Sequence, residues 1–424
     1  MRLRSLLLCV PFSMACARQV QVGSPPAPVR PGISVLMSDS IGLIRNKRIG
    51  LITNQTGIDE HGVSDIDLLR GPVATAAGVK LVRLYSPEHG IRGTEDRENL
   101  ASEVDAKSGL TIVSLYVNGT NPPPDSTLRD IDAIIVDLQD IGTRTWTYTG
   151  VMFYTLQSAA RLNLRVIVLD RPNPLAGNHT DGPFLDTALA NPYPSQPGRP
   201  QRAYALYPVP LRHGMTMGEM ALFINEEMKL RANLRVVPAA GWKRSMWFDE
   251  TGLPWVRPSP NLPNLTSATI YPSLVPFESS NVSVGRGTTT AFQRFGAPWM
   301  NAPEVARRLG AMQLPGTQFV VDSFTPRAAG DAKYNDRLIP GVRIVLADRN
   351  AFEAGRVAAS ILSVLRATSP DSLRITLPGF DYRLGSAAIR EAIMRGEDPK
   401  PLMDRARVDA QAFANRVRRF WIYQ

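Results

Sequence analysis

Short apolar runs rich in Val, Ile and Leu recur along the first half of the chain. They cover residues 48–54, 79–86, 110–116, 132–140 and 164–172, and residues 149–163 have the apolar spacing of an amphipathic helix. Such runs are typical of parallel strands that are buried on both faces of a sheet. Their alternation with helices predicts an α/β fold built on a Rossmann-like, doubly wound parallel sheet.

The pattern changes after about residue 185. Residues 190–211 are proline-rich and loop-like, and residues 252–300 show little periodicity, which in a compact protein usually marks a functional stretch. Regular elements resume further on, with helices predicted at 215–231, 302–312, 350–366, 385–395 and 399–421 and strands at 234–240, 317–324 and 341–347. We therefore predict two domains, a Rossmann-like one at 33–265 and a smaller α/β one at 266–424.

Composition narrows the class of protein. In a chain of 424 residues, 44% hydrophobic residues suffice for a large core, and 20% charged residues are too few for a disordered or coiled-coil protein. The net charge of +10 comes without a dense Lys/Arg run, so no nucleic-acid partner is expected. The four histidines lack paired spacing, and no GxGxxG motif follows the first strand. Neither a metal nor a dinucleotide cofactor is therefore expected.

The first 17 residues have the pattern of a secretory signal peptide, with a basic start, a short apolar run and small residues after it. Cys16 follows Ala15 as at a lipoprotein cleavage site, and simple cleavage near Ala17 is the alternative. Residues 18–32 are proline-rich, as expected of a linker. These features predict an exported protein, either periplasmic or a membrane-anchored lipoprotein, that meets the membrane only through such an anchor.

Polar side chains follow the ends of the predicted strands, where ligands bind in open parallel sheets. The loop SPEHGIRG at 86–93 carries Glu88, His89 and Arg92. A glycosidase needs a carboxylic acid that can protonate a leaving oxygen, and Glu88 is placed for that role. The alternative is that Glu88 caps a turn or pairs with Arg92.

The segment VDLQDIGTRTWTY at 136–148 combines acidic and amide groups with aromatic rings, a set that suits the recognition of sugars. The alternative is a strand-end turn with an Asp–Arg pair and core aromatics. The candidate binding residues at these strand ends are Asp137, Gln139, Asp140, Arg144, Asp170, Asn173 and His213, the last of which could instead belong to a helix-capping arrangement.

The segment FESSNVSVGRGTTTAF at 277–292 holds a second candidate carboxylate, Glu278, and a GRGT sequence at 285–288. Arg286 and the flexible backbone amides beside it could bind a carboxylate or a phosphate. A surface turn is the alternative interpretation.

Six motifs occur in a fixed order: SPEHGIRG, VDLQDIGTRTWTY, VLDRPNP, RHGMTMGE, PSPNLP and FESSNVSVGRGTT. From about residue 35 to the end, the chain resembles the exo-β-N-acetylmuramidases of the NamZ type. The resemblance implies a Rossmann-like domain and a smaller α/β domain with the active site in the cleft between them. It also implies the metal-free release of terminal N-acetylmuramic acid from the non-reducing end of peptidoglycan fragments.

The resemblance also suggests site residues. The family's cleft glutamate corresponds to Glu88, and the aromatic residue of the family's R-x-YTY-like segment falls near Tyr148, with Trp146 in place of the usual tyrosine. Glu278, Asn281 and Arg286 match the family pattern, whereas Val284 stands where an acidic residue is common.

These observations favour an exported glycosidase whose partners are muramyl saccharides from peptidoglycan. Muramic acid carries a lactyl carboxylate that N-acetylglucosamine lacks, and Arg286 or Arg144 could select it. Two alternatives remain: a non-catalytic protein that binds peptidoglycan or amino sugars, and a hydrolase that uses the GRGT loop to bind an anion.

Overall fold

A computed structural model of the chain describes residues 28–95, 100–190 and 202–424. The predicted signal peptide and most of the predicted linker lie outside the described residues. The strands are β1 (Arg48–Thr53), β2 (Lys80–Ser86), β3 (Glu103–Val104), β4 (Thr111–Ser114), β5 (Ala133–Asp137), β6 (Arg165–Leu169), β7 (Asp181–Phe184), β8 (Pro210–Arg212), β9 (Asn233–Val237), β10 (Arg294–Gly296), β11 (Thr317–Phe324) and β12 (Ile339–Leu346).

The helices are α1 (Gly32–Asp39), α2 (Asp65–Leu68), α3 (Pro72–Ala76), α4 (Asp125–Leu128), α5 (Tyr148–Arg161), α6 (Met217–Glu227), α7 (Leu265–Leu274), α8 (Ala302–Ala311), α9 (Ala354–Thr368), α10 (Gly379–Leu384), α11 (Ala387–Arg395) and α12 (Pro399–Val417). Within the described ranges, none of these helices is both long enough and apolar enough to cross a membrane.

The first domain is built on a seven-stranded sheet with the order β3-β4-β2-β1-β5-β6-β9. All its neighbouring strands pair in parallel except β3, which runs antiparallel to β4 at one edge. This order confirms the predicted Rossmann-like, doubly wound sheet. Strands β2 to β4 lie on one side of β1 in the sheet, and β5, β6 and β9 lie on the other. The strand order therefore reverses between β1 and β5, and such sheets bind ligands at the carboxyl ends of the strands at this point.

The second domain contains an antiparallel three-stranded sheet with the order β10-β12-β11. Helix α8 packs on β11 and β12, and α9 lies at the centre of the helical layer, in contact with α7, α8, α11 and α12. A smaller α/β domain was predicted, and the structure confirms it.

Some elements escape sequence analysis because their burial is not periodic. Helix α7 falls within residues 252–300, where no helix was predicted. Every residue from Ser267 to Leu274 is buried, so the helix has no polar face to mark its period. The short helix α10 and the β7–β8 pair were also missed.

The last residues of the chain return to the first domain. The Tyr423 hydroxyl donates to the Asp170 carboxylate over 2.7 Å, and the Ile422 amide donates to Glu219 over 2.9 Å. Arg244 lies 3.9 Å from the centre of the Trp421 ring. Burial raises the pKa of Asp170 to about 7. Asp170, predicted as a binding residue, therefore anchors the C-terminal segment.

Candidate active site

A cavity of about 530 Å³ lies between the two domains. The loops after β2 and β5 and residues 259–262 form one wall. Residues 275–279, the GRGT loop and the start of α10 form the other. The cavity brings together four of the predicted site residues, Glu88, His89, Glu278 and Arg286. The predicted cleft between the domains therefore exists and carries two carboxyl groups.

Glu88 reaches the cavity from a tight turn directly after β2. The Gly90 amide donates to the Pro87 carbonyl over 3.1 Å, and His89 has a left-handed backbone with a φ of 72°. Its ring Nδ1 lies 2.7 Å from the Glu95 carbonyl oxygen, which fixes the imidazole. A left-handed residue other than glycine costs about 1–3 kcal/mol and is often found at functional sites. Here the turn directs Glu88 into the cavity.

Two neutral hydroxyl groups hold the Glu88 carboxyl group. The Tyr116 hydroxyl donates to Oε1 over 2.9 Å, and the Thr147 hydroxyl donates to Oε2 over 2.6 Å. Among the described residues, no cation lies within ion-pair distance of Glu88. The two hydroxyls therefore fix the position of the Glu88 carboxyl group on the cavity wall.

Glu278 has the opposite surroundings. Arg286 Nη1 donates to its Oε1 over 2.9 Å, and Arg383 Nε lies 3.6 Å from its Oε2. Nearby, the Lys333 ammonium group donates to the carbonyls of Phe277, Glu278 and Val282, and burial lowers the pKa of Lys333. The cavity therefore contains one carboxyl group in a neutral setting and one in a cationic setting, a pairing that allows different chemical roles.

Aromatic rings line the cavity between the two glutamates. Tyr271 makes edge contacts with Trp146, at 5.7 Å between ring centres, and with Phe292, at 4.7 Å. Burial raises the pKa of Tyr271, and the charges of Glu278 and Glu88 raise it further, which places this ring near both carboxylates. Ring faces of this kind suit the apolar surfaces of sugars.

Several predicted site residues lie beneath the cavity rather than on its wall. Asp137 forms a buried ion pair with Arg171. The Tyr148 hydroxyl is fully buried, where it accepts from Asn54 over 2.8 Å and donates to the Pro258 carbonyl over 2.8 Å. The prediction that these side chains face the substrate is not supported by their positions, because their polar atoms are already bonded inside the domain.

Arg144 is the clearest correction. Its Nη1 donates to the carbonyls of Tyr382, over 2.8 Å, and Tyr204, over 3.2 Å, and its Nη2 donates to that of Arg383 over 3.0 Å. Burial lowers the pKa of Arg144 to about 10. The guanidinium group thus fixes backbone of both domains instead of facing a ligand.

The remaining candidates also hold loops in place. Arg92 pairs with Asp105, and Gln139 donates to the carbonyls of Asp140 and Pro172. Asp140 accepts from the Gly142 amide and contacts the His213 ring, which in turn accepts from the Met215 amide. Asn173 donates to the Met215 carbonyl, and Asn281 donates to the Ser372 carbonyl and accepts from the Arg374 amide. Strand ends collect polar residues for two reasons, ligand binding and loop support, and the sequence pattern does not separate them.

Several polar cavity residues were not identified from the sequence. Tyr116, Thr147, Arg202, Tyr204 and Arg383 all line the cavity. Thr147 belongs to one of the motifs described above. Arg202, Tyr204 and Arg383 do not directly follow a predicted strand and belong to no recognisable motif. In the described ranges, no group of three or more His, Cys, Asp or Glu side chains is arranged to hold a metal ion.

Fold and site together define a two-domain α/β protein with a Rossmann-like sheet and an interdomain cleft that carries two unlike carboxyl groups. The family model "Exo-beta-N-acetylmuramidase NamZ, N-terminal" matches residues 49–266, and the model for the C-terminal part of the same family matches residues 269–423. The chain therefore belongs to the exo-β-N-acetylmuramidase NamZ family, as the sequence motifs predicted.

Individual relatives agree with this assignment. The chain is 36% identical over 398 residues to the peptidoglycan β-N-acetylmuramidase NamZ of Bacillus subtilis (strain 168), a match that covers 93% of this chain and 91% of the relative. A crystal structure of a DUF1343 family protein from Bacteroides fragilis NCTC 9343 is 32% identical with a TM-score of 0.83, covering 94% of this chain and 100% of that one. A second such protein from the same organism is 27% identical with a TM-score of 0.71, covering 94% and 99%.

Proposed function

We propose that this protein is a glycosidase that releases terminal N-acetylmuramic acid from the non-reducing end of peptidoglycan fragments. The observation that carries the proposal is the setting of Glu88, a carboxyl group held by two hydroxyls on the wall of the interdomain cleft. Family membership and the B. subtilis relative support the choice of substrate.

In the proposed reaction, Glu88 is the general acid. A glycosidic oxygen is a poor leaving group until it is protonated, and a positioned carboxylic acid supplies that proton as the bond breaks. Water bonds to the anomeric carbon and gives up a proton, so the carboxylic acid is restored and the net change is hydrolysis. The Tyr116 and Thr147 hydroxyls fix the orientation of the Glu88 carboxyl group without adding a charge. This keeps the proton donor aimed at the cleft.

Glu278 takes the role of the second carboxylate. Positive charge develops on the sugar ring as the glycosidic bond breaks, and a carboxylate nearby stabilises it. Arg286 and Arg383 hold Glu278 in a fixed position on the opposite wall. The rings of Trp146 and Tyr271 line the space between the two carboxyl groups and provide surfaces for the sugar.

Incubation of the purified protein with the disaccharide of N-acetylmuramic acid and N-acetylglucosamine tests the proposal. We expect mass spectrometry to show both free monosaccharides when muramic acid is at the non-reducing end. The disaccharide with the sugars in the reverse order should stay intact and serves as the control. An intact first disaccharide that nevertheless binds to the protein would contradict hydrolysis and favour a binding protein.

We also propose that the protein is exported. The support is the basic, then apolar, then small-residue pattern of residues 1–17. Fractionation of the native host should recover the protein outside the cytoplasm. If Cys16 is lipidated, Cys16→Ser should move the protein from the membrane fraction to the soluble exported fraction, and recovery in the cytoplasm with residues 1–17 still attached would contradict export.

A further inference from the structure

Two arginines and two tyrosines form a cluster at the edge of the cleft where the domains meet. Arg202 lies over the Tyr382 ring at 4.9 Å and donates to the Tyr204 hydroxyl over 2.8 Å, while Arg383 lies over the Tyr204 ring at 4.7 Å. We call these four residues the arginine–tyrosine cluster. The first domain contributes Arg202 and Tyr204, and the second contributes Tyr382 and Arg383.

The three arginines that line the cavity differ in how their charge is balanced. Arg286 is bonded to Glu278, and Arg383 lies within 3.6 Å of the same carboxylate. Arg202 has no carboxylate within ion-pair distance among the described residues. Its Nη1 donates to the Tyr204 hydroxyl, and its Nε is buried without a hydrogen-bond partner in the described part of the chain. Arg202 therefore brings an unbalanced positive charge to the cavity wall.

The orientation of Arg202 is fixed. Stacking on Tyr382 sets the plane of the guanidinium group, and the bond to Tyr204 sets its rotation within that plane. Arginine binds a carboxylate with two parallel hydrogen bonds through its Nε and Nη2 atoms, and in Arg202 the buried Nε is left without an acceptor. Beneath the cluster, Arg144 holds the carbonyls of Tyr204 and Tyr382, so the support is rigid.

We propose that Arg202 is a specificity-determining residue that binds the lactyl carboxylate of the terminal muramic acid. The inference rests on the proposed function, because it assumes a muramyl substrate in this cleft. The lactyl carboxylate is the anionic group that separates muramic acid from N-acetylglucosamine. An arginine without a carboxylate partner can bind that group without first breaking an existing ion pair. Arg286, one of the two residues that sequence analysis offered, already shares its charge with Glu278.

The test compares Arg202→Gln with the unmodified protein on two substrates. One is an aryl N-acetyl-β-muramide with a free lactyl carboxylate, and the other is the same compound with the lactyl group converted to its methylamide. For the free acid, we expect Arg202→Gln to lower kcat/KM roughly 10- to 100-fold, mainly through KM. The methylamide should be cleaved at nearly the same rate by both proteins. Arg202→Lys keeps the charge but loses the planar guanidinium group. Its kcat/KM for the free acid should lie between those of Arg202→Gln and the unmodified protein.

Arg307→Gln is the matched control. Arg307 is an exposed arginine on α8 that pairs with Glu304, so this change removes the same charge away from the cleft. We expect it to behave like the unmodified protein on both substrates. An Arg202→Gln variant with an unchanged melting temperature that loses equally on the free acid and the methylamide would overturn the proposal.

Binding separates failure of this inference from failure of the proposed function. Calorimetry should show that N-acetylmuramic acid binds the unmodified protein more tightly than its lactyl methylamide does, and that Arg202→Gln removes the difference. If the unmodified protein hydrolyses no muramide but shows this binding pattern, the proposed reaction fails and the role of Arg202 stands. If hydrolysis occurs and Arg202→Gln retains the preference for the free carboxylate, the role of Arg202 is wrong.

Discussion

Glu88→Gln should lower turnover on a natural muramide by about 10²–10⁴-fold, with little change in melting temperature. The amide keeps the shape of the side chain and removes the proton that the leaving oxygen needs. One of the two hydroxyls, Tyr116 or Thr147, can still donate to the amide oxygen, and the other can accept from the amide NH2 group. The measurement is the initial rate of release of N-acetylmuramic acid, together with a thermal unfolding curve.

The dependence on the leaving group identifies the role of Glu88. In an aryl muramide with an acidic phenol, the phenol leaves with little protonation, so Glu88→Gln should impair cleavage of this substrate much less. Glu103→Gln is the control for the chemical change, since Glu103 is exposed on the edge strand β3. Equal losses on both substrates would make Glu88 a nucleophile or base instead of an acid. No loss on either would make it a turn residue and direct attention to Glu278.

Arg171→Leu should lower the free energy of unfolding by about 3–5 kcal/mol at neutral pH, the usual effect of breaking a buried ion pair. Arg171 donates through Nε and Nη2 to Asp137, and Asp65 lies 3.9 Å away. Burial opposes the charge of Arg171, but Asp137 and Asp65 together hold its pKa above the ordinary value. Burial, reinforced by Asp137, raises the pKa of Asp65. Without the arginine, two buried carboxyl groups would share a site with no cation.

This loss should increase with pH. In the variant, the cation that lowers the pKa of Asp65 is gone, so burial and Asp137 hold that pKa further above its unfolded value. Stability is then retained at low pH and lost as pH rises, by up to about 1.4 kcal/mol per pH unit for one proton. Urea unfolding at pH 5 and pH 8 measures the difference. Arg161→Leu, which breaks an exposed pair with Asp125, should cost at most about 1 kcal/mol at either pH. Equal, small losses in both variants would contradict the ion-pair account.

The sheet was predictable from sequence because its strands are continuous apolar runs. Strand β5, for example, is buried along all of its residues. A continuous apolar run of this length is stable in an α/β protein mainly as a strand covered on both faces of the sheet. Glu88 was predictable for a related reason: it directly follows a strand in a glycine-flanked loop. Local sequence therefore suffices where a residue's position depends on the element it follows.

Other parts of the site could not be predicted, because they depend on contacts between distant segments. Arg202 and Tyr382 are separated by 180 positions, yet they stack at 4.9 Å. Asp137 and Arg144 have the residue types of a binding site, but the first neutralises Arg171 and the second holds carbonyl groups. Whether a polar strand-end residue faces inward or outward is decided by tertiary packing, which the local pattern does not record.

The bonds of Arg144 have a consequence for how the cleft works. One guanidinium group joins the backbone at Tyr204 in the first domain to that at Tyr382 and Arg383 in the second. Separating the walls would take two of the three carbonyl acceptors from this buried cation, so a hinge opening at this point is energetically unfavourable. A cleft held in this way is preorganised, so little binding energy is needed to order its walls around a substrate.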